Sequence, residues 1–256
     1  MEPSTTQTQR WTVGDVTITS VVEDQTDGVP PELFFPDATA DSVKRHAWLV
    51  PDYADDRGHV SLRVQALVIE DGDRRILVDP CVGNGKIRDL PWWNQQSWPF
   101  MERLLDAGFK PGSIDQVLHT HLHADHLGWD THLEDGVWVP TFVNARHLYT
   151  GAGLDHSRRE STLAAEGGQD IYADSVAPIV EAGLADVVAE DAQLGGRLRL
   201  EPTGGHSPGH VSLWIESDGE TALITGDVIH PPSRRPTGTR RGGLAVRSGS
   251  GMKSNP

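Results

Sequence analysis

The sequence predicts a domain of mixed α and β structure. Two β-hairpins are predicted in the first third of the chain, over residues 11–22 and 62–78, because β-rich runs flank a Gly-Asp turn and an Asp-Gly-Asp turn. An apolar stripe at helical spacing follows at Phe100, Leu104 and Leu105. Strand patterns return near residue 200, and one α/β domain is enough for a chain of 256 residues.

The connections of the first half are predicted from turn and cap signals. Residues 27–36 hold several Gly and Pro and are predicted to form a loop. A short helix is expected over 42–50. Ser97 is the expected N-cap of the next helix, with Pro99 at its first position, and Gly108 is expected to end it.

The second half alternates polar and apolar segments. Residues 137–139 and 141–149 are predicted strands, and the polar, Gly-rich stretch 151–169 is expected to be a mobile excursion. Residues 170–182 have the spacing of an amphipathic helix, which Pro178 weakens. Three further strands are predicted over 198–202, 211–216 and 221–225.

Composition limits the partners and the compartment. The formal net charge is −15, from 22 basic and 37 acidic residues, which argues against nucleic acid and against an anionic membrane surface. The single cysteine, Cys81, excludes an intrachain disulfide. Residues 1–9 lack the apolar core of a signal peptide. We therefore expect a cytoplasmic protein with a small-molecule substrate and no nucleic-acid or membrane partner.

Four potential metal ligands fall within six consecutive positions, His121, His123, Asp125 and His126. They follow the β-like run 116–118. Imidazole nitrogen together with carboxylate oxygen suits zinc and similar divalent ions. In an extended segment His121 and His123 point to the same side, and Asp125 with His126 could face a second ion. This stretch predicts a metal site.

The motif HxHxDH formed by these residues resembles the signature of the metallo-β-lactamase-fold hydrolases. Two later stretches match the family in the same order, namely residues 205–210, which read GHSPGH, and residues 225–227, which read TGD. The resemblance runs from about Val16 to His230. It implies an α/β fold of the αββα type, a sandwich of two mixed sheets packed face to face and flanked by helices.

The resemblance also implies a ligand set and a reaction. It assigns two ions, by default Zn²⁺, with iron, manganese or cobalt as alternatives. A metal-bound hydroxide would attack a small ester or lactone, and Asp125 would orient it as a catalytic residue. The implied ligands of the first ion are His121, His123 and His206; those of the second are Asp125 and His126, with Asp227 bridging both.

The C-terminus departs from the family. Family members usually supply one more His after the bridging Asp, whereas His230 is the last histidine of this chain and is only a reserve-ligand candidate. Residues beyond 231 carry six basic and no acidic side chains among Gly, Ser and Pro. We expect one domain over 1–231, a disordered basic tail over 232–256 and a fold truncated at this end, so that the second ion lacks a ligand.

Several functions remain open. Trp11 and the stretch 135–142 look like the branch that contains lactonases and organophosphate hydrolases. Hydrolysis of a β-lactam, thioester or phosphotriester would use the same ligands. A truncated, impaired or non-catalytic metal-binding protein is the alternative that the missing His favours. Redox chemistry at two irons is disfavoured, since flavo-diiron relatives have Glu where this chain has His123, whereas a mononuclear-iron sulfur dioxygenase remains open.

Other residues near the motifs have less specific expectations. His119 is expected to pack or to support the ligands, and His210 to shape the turn beside His206. Asp79 either begins a turn before a proline or lies close to the site. Cys81 is expected to be a small buried hydrophobe. The remaining histidines are expected to be ordinary polar residues: His46, His59, His132, His147 and His156.

Overall fold

The structure is a computed structural model that describes residues 8–33, 37–228, 240–241 and 244–247. Strands hold more of these residues than helices do. In chain order the strands are β1 (Gln9–Val13), β2 (Val16–Val29), β3 (Val60–Asp71), β4 (Arg74–Val78), β5 (Gln116–Leu118), β6 (Thr131–Glu134), β7 (Val137–Pro140), β8 (Arg146–Thr150), β9 (Ala185–Val188), β10 (Leu198–Pro202), β11 (Val211–Ser217), β12 (Glu220–Ile224), β13 (Arg240–Arg241) and β14 (Leu244–Arg247).

Helices are short and lie between the strands. A π-helical turn over Tyr172–Val176 leads directly into the last α-helix. The α-helices are α1 (Ala40–Lys44), α2 (Phe100–Asp106), α3 (Gly151–Ser161) and α4 (Ala177–Glu181), and 3₁₀ turns cover Pro31–Leu33, Ala47–Leu49, Pro111–Ser113, Gly128–Asp130 and Gly226–Val228.

Two large sheets carry the fold. The first has the order β1-β2-β3-β4-β5-β8-β9 and is mixed, because β1 to β4 pair antiparallel whereas β4, β5, β8 and β9 pair parallel. The second has the order β10-β11-β12-β14-β13, and its pairings are antiparallel. A separate hairpin joins β6 and β7. The predicted α/β class is confirmed.

The core lies between the two sheets and behind the first one. Side chains alternate along β3 and β4, so Ile69 and Ile76 pack towards the second sheet, in one cluster with Leu213 and Ile224. Val68 and Leu77 point the opposite way, where they pack with Phe100 and Leu104 of α2. Burying each large aliphatic side chain contributes about 1.5–3 kcal/mol.

Both predicted hairpins are present, and the first one also contacts the second sheet. Gly14, in the β1–β2 turn, has a φ of +53°, and a Cβ there would lie 2.5 Å from the carbonyl oxygen of Ser217. Asp15 N donates a hydrogen bond to Ser217 Oγ at 3.0 Å. The turn therefore needs glycine both for its conformation and for its close approach to β11.

The mobile excursion predicted over 151–169 is wrong for its first part, which forms α3. The Thr150 hydroxyl caps this helix by accepting a hydrogen bond from Gly153 N at 3.3 Å and donates one to the Gly209 carbonyl at 2.8 Å. Leu154 and Ser157 are buried on its inner face. The cap and these few contacts order a helix that has little apolar periodicity.

Smaller corrections concern helix boundaries. Helix α2 begins after Pro99 with no side-chain cap, so the N-cap expected at Ser97 is wrong. The helix expected over 42–50 is divided into α1 and a 3₁₀ turn. The strand expected over 141–149 is confined to β8, because residues 141–145 form turns.

The C-terminal segment is described only in part. Strand β14 pairs with β12 on one side and with β13 on the other, and β13 is the edge strand of the second sheet. The rest of 232–256, together with His230, lies outside the described residues, so the predictions made for them stay predictions. Across the described part of the chain, no helix has the length and apolar character that a membrane crossing requires.

Candidate metal centre

Three strand ends deliver the six predicted ligands to one place. The loop after β5 carries His121, His123, Asp125 and His126. His206 lies in the turn between β10 and β11, and Asp227 lies in the 3₁₀ turn after β12. Residues more than 80 positions apart in the sequence thus come into contact at the edges of the two sheets, where β-strands hold them firmly.

The first group consists of three histidines. The Nε2 atoms of His121 and His206 lie 3.2 Å apart. The Nδ1 atom of His123 lies 3.1 Å from His121 Nε2 and 2.9 Å from His206 Nε2. Two atoms that bind one zinc ion at about 2.0–2.1 Å are separated by about 3.3 Å in tetrahedral geometry. The spacing of the three nitrogens therefore fits ligands that share one ion.

The tautomer of His121 can be deduced from its neighbours. The Thr120 hydroxyl donates to Asp79 Oδ2 at 2.7 Å, so it accepts from His121 Nδ1 at 3.1 Å. Nδ1 must then carry the hydrogen, and the Nε2 lone pair faces the other two rings. This hydrogen-bonded support behind the ring is typical of metal-ligating histidine.

The second group surrounds Asp227. Its Oδ2 lies 3.4 Å from His126 Nε2, 3.6 Å from His206 Nε2 and 3.8 Å from His121 Nε2. Asp125 Oδ2 lies 3.5 Å from His126 Nε2. Among the described residues, Asp227 is therefore the one whose carboxylate lies within 4 Å of histidines of both groups, as a bridging ligand must. The six residues predicted from the sequence all come together.

Electrostatics keep the first group available as ligands. Burial lowers the pKa of His121, and the nearby His126 lowers it further. Burial also lowers the pKa of His123, with His206 adding to the effect. Neutral imidazoles have a free lone pair, which a metal ion requires. At His126 burial acts in the same direction, but Asp125, Asp227 and Asp79 outweigh it and raise the pKa.

Residues behind the ligands fix their positions. Asp227 N donates to His210 Nε2 at 3.2 Å, so His210 Nδ1 carries the hydrogen and donates to Thr203 Oγ1 at 2.9 Å. Burial lowers the pKa of His210 to about 4, which keeps it neutral. Asp79 accepts from Thr120 N at 2.7 Å and lies 3.1 Å from His126 Nδ1. Of the two alternatives for Asp79, the position close to the site is the one observed.

Gly226 is required beside Asp227. Its φ is +53°, and a Cβ there would come within 2.7 Å of both His210 Nε2 and Thr120 Oγ1. Any larger residue would push apart the two side chains that support the ligands. The glycine of the TGD stretch is therefore needed for the ligands of the site to keep their positions.

A cavity of about 710 Å³ opens above the ligands. Five of the six predicted ligands line its floor, namely His123, Asp125, His126, His206 and Asp227. Its described walls are mainly apolar. They include Leu33, Tyr53, Leu62, Leu90, Trp93 and Ile171, with Gln25, Arg63, Gln65, Asp52, Asp89 and Gln169 as polar members.

Two walls of the cavity are tied together by buried charges that the sequence reasoning missed. Arg88 Nη1 and Nη2 lie 2.7 and 3.3 Å from the two carboxylate oxygens of Asp174, in the π-helical turn. Lys86 Nζ donates to the Asp174 carbonyl at 2.8 Å and to Thr131 Oγ1 at 2.6 Å, and it lies 3.8 Å from the centre of the Trp138 ring. Burial lowers the pKa of Lys86 to about 7.

A second cluster of potential ligands lies behind the first. His119, Asp130 and His147 are all buried, with their nitrogen and oxygen atoms within 4.8 Å of one another. The expectation that His147 is an ordinary polar residue is therefore wrong. His119 packs here, as expected, with its ring stacked 4.6 Å from that of Tyr149.

Glu23 was also missed, because a lone Glu in a strand pattern gives no sign of burial. It accepts hydrogen bonds from Val82 N at 2.8 Å, Gly83 N at 3.1 Å and Trp129 Nε1 at 2.5 Å. Burial raises its pKa to about 7. Cys81, by contrast, is buried in the core as expected, and burial raises the pKa of its thiol.

Comparison with known proteins decides the family. The family model of the metallo-beta-lactamase superfamily matches residues 61–255. The chain belongs to this superfamily. A curated relative, the "Probable metallo-hydrolase YybB" of Bacillus subtilis (strain 168), is 29% identical over 146 residues, and the match covers 53% of this chain. The matched region spans 60% of that relative's length.

Several solved structures share the fold of this chain. The hydrolase AbOPH superposes with a TM-score of 0.67 at 24% identity, covering 87% of this chain and 74% of its own. A probable metal-dependent hydrolase from Staphylococcus aureus gives 0.64 at 22% identity, covering 85% and 74%. AidC, a dizinc quorum-quenching lactonase, gives 0.63 at 17% identity, covering 87% and 75%.

Proposed function

We propose that this protein is a metal-dependent hydrolase of small, uncharged esters or lactones. The observation that carries the proposal is the convergence of six histidine and aspartate side chains, five of which line the floor of a cavity large enough for such a substrate. Small-molecule sites have volumes of about 300–1,000 Å³. When bound, divalent ions activate water for attack on a carbonyl or phosphoryl centre.

The chain's own residues supply binding and orientation. His121, His123 and His206 would hold one ion, and Asp125 and His126 a second, with Asp227 between them. The Asp125 side chain faces the cavity and is 22% exposed, so its carboxylate can accept a proton from a water or orient it. His210 and Asp79 keep the ligands in place through the hydrogen bonds given above.

The cavity wall supports an uncharged substrate with an apolar group. Its described part is built mainly from aliphatic and aromatic side chains, which favour an acyl or aryl substituent. Among the described lining residues Arg63 is the one cation, against Asp52 and Asp89. Arg63 already donates to Gln25 Oε1 at 2.8 Å. A substrate that carries a carboxylate, such as a β-lactam or a glutathione thioester, would gain little from this wall.

A substrate screen tests the proposal. The protein, loaded with zinc or manganese, is assayed against an acylated γ-lactone, an aryl ester, an aryl phosphotriester, a thioester and a β-lactam. We expect the highest kcat/KM for the lactone or the ester. Failure to hydrolyse either above the rate without protein, in a sample whose main centre holds both of its ions, would contradict the proposal. If the phosphotriester is the preferred substrate, the assignment as a hydrolase stands, but the assignment of esters or lactones as substrates is wrong.

A matched pair of variants tests the role of Asp125. Asp125→Asn should lower kcat by about 100-fold or more, because general acid–base groups typically contribute 10²–10⁴-fold. Asp135→Asn is the control, since Asp135 is exposed in the β6–β7 turn and its left-handed φ of +50° suits Asn. Equal activity of the two variants would exclude a catalytic role for Asp125.

A further inference from the structure

The second cluster, His119, Asp130 and His147 with Tyr149, lies behind the ligand loop and out of reach of the cavity. Asp130, His147 and Tyr149 have no exposed surface, and His119 is 2% exposed. None of the four lines the cavity. The residues come from the end of β5, the 3₁₀ turn Gly128–Asp130 and β8, three segments that have to be held together for the ligand loop to keep its position.

The hydrogen bonds of His119 require a cation in this cluster. Its Nδ1 lies 3.1 Å from the Leu148 carbonyl, which can only accept, so Nδ1 carries a hydrogen. Its Nε2 lies 3.1 and 2.9 Å from the two oxygens of Asp130. In a neutral ring Nε2 has a lone pair, which a carboxylate at this distance would repel. A proton or a metal ion must therefore lie between Nε2 and the carboxylate.

The surroundings of His147 distinguish between a proton and a metal ion at this place. Its Nδ1 lies 3.3 Å from Asp130 Oδ1 but outside hydrogen-bond geometry, and neither ring nitrogen has a hydrogen-bond partner among the described residues. A buried polar group without a partner costs about 1–3 kcal/mol. A proton on His119 leaves this cost in place. A metal ion removes the part of this cost that belongs to Nδ1, because it takes the lone pair of that nitrogen as a ligand.

The surroundings of the cluster are those of a ligand set. Ligating histidines almost always donate their second N–H to a carbonyl or carboxylate, as His119 does to Leu148. Ligating carboxylates are themselves hydrogen-bonded, as Asp130 is by the Tyr149 hydroxyl at 2.8 Å. The ring nitrogens of His119 and His147 lie 2.9–3.3 Å from the carboxylate oxygens of Asp130. The three ligand nitrogens of the first histidine group in the main centre lie at a similar spacing, 2.9–3.2 Å from one another.

We propose that His119, Asp130 and His147 bind an additional divalent ion of the zinc type, separate from the ions of the main centre. Two imidazoles and a carboxylate with two oxygens can complete the four-fold coordination that zinc prefers. Complete burial leaves no position open to a substrate, so the ion is structural. It would fix the 3₁₀ turn against β5 and β8, and it would enter during folding. This inference does not rest on the proposed hydrolase activity.

Metal counting in three proteins tests the site. Each is produced with zinc, treated with a mild chelator and measured for metal per chain by mass spectrometry. The first protein is the main-centre variant His123→Ala with Asp227→Ala, in which we expect one ion to remain. The second adds His147→Gln and should lose that ion. The third adds His156→Gln instead, on the half-buried surface of α3, and should keep it.

Two results would overturn the site. If the main-centre variant contains no ion, the cation between His119 and Asp130 is a proton. If an ion persists after His147→Gln, the remaining ion is bound at a different place. Should the His147→Gln protein not fold, crystals of the main-centre variant measured at the zinc absorption edge replace it. An anomalous peak between His119 Nε2 and Asp130 is then required, and a map without this peak rejects the proposal.

Discussion

The buried ion pair between Arg88 and Asp174 offers a sharp test of how the cavity wall is held. Asp174→Asn keeps the size of the side chain but removes the only carboxylate that contacts Arg88 among the described residues. The side chains of Arg88 and Lys86 have no exposed surface. Lys86 can release its proton, since burial already lowers its pKa to about 7, but arginine cannot.

The variant therefore leaves one guanidinium charge buried without a counter-charge. Breaking a buried pair in this way costs about 3–5 kcal/mol. For a domain of this size a loss of 1 kcal/mol lowers Tm by about 2–4 °C, so the expected decrease is about 6 °C or more. Thermal unfolding followed by circular dichroism, with urea unfolding at fixed metal concentration, measures both quantities.

An exposed ion pair supplies the control. Asp155 lies 3.8 Å from Arg158 on α3, and the two side chains are 65% and 52% exposed. Asp155→Asn should change the free energy of unfolding by less than about 0.5 kcal/mol, because exposed pairs contribute little. If Asp174→Asn is no more destabilising than Asp155→Asn, the reasoning about the buried pair is refuted.

Three further predictions concern the ligands, the backbone and pH. His123→Ala should lose the ions of the main centre and hydrolytic activity with little change in the circular dichroism spectrum; full activity would exclude His123 as a ligand. Gly128→Ala should strongly destabilise the fold, because its Cβ would lie 1.7 Å from the Val82 carbonyl oxygen, whereas Gly196→Ala, which meets nothing within 4 Å, should unfold like the wild type; equal unfolding midpoints would contradict the close approach. Burial raises the pKa of Glu23 from 4.5 to about 7, so the wild type binds more protons folded than unfolded and should lose up to about 3 kcal/mol of stability as pH rises from 4.5 to 7. In Glu23→Gln the free energy of unfolding, measured with urea at pH 5 and pH 8, should not show this fall. If the wild type and Glu23→Gln have identical pH profiles of stability, the prediction for Glu23 is refuted.

The metal ligands could be predicted from sequence because their signal is local. His121, His123, Asp125 and His126 are within one hexapeptide, and the family resemblance supplied the two distant partners. The hairpins could be predicted for the same reason, since turn residues and flanking β-rich runs are contiguous. A single sequence gives no signal for which distant segments meet, so the contacts of His206 and Asp227 needed the resemblance.

The features that were missed depend on tertiary contacts. Lys86, Arg88 and Glu23 look like surface residues in the sequence, yet each is buried, because its partners are supplied by segments 45 to 106 positions away. The histidine at 147 gives no sequence sign that it faces Asp130. Helix α3 was missed because its order comes from the Thr150 cap and from contacts beneath it, whereas its own sequence is polar.

Anomalous X-ray diffraction at the zinc absorption edge, from crystals of the zinc-loaded wild-type protein, tests the central claim most directly. We expect one peak within about 2.0–2.2 Å of His121 Nε2, His123 Nδ1 and His206 Nε2. We expect a second peak within bonding distance of His126 Nε2, with Asp227 Oδ2 in contact with both ions. A map in which no peak lies within bonding distance of both His121 and His206 would contradict the account.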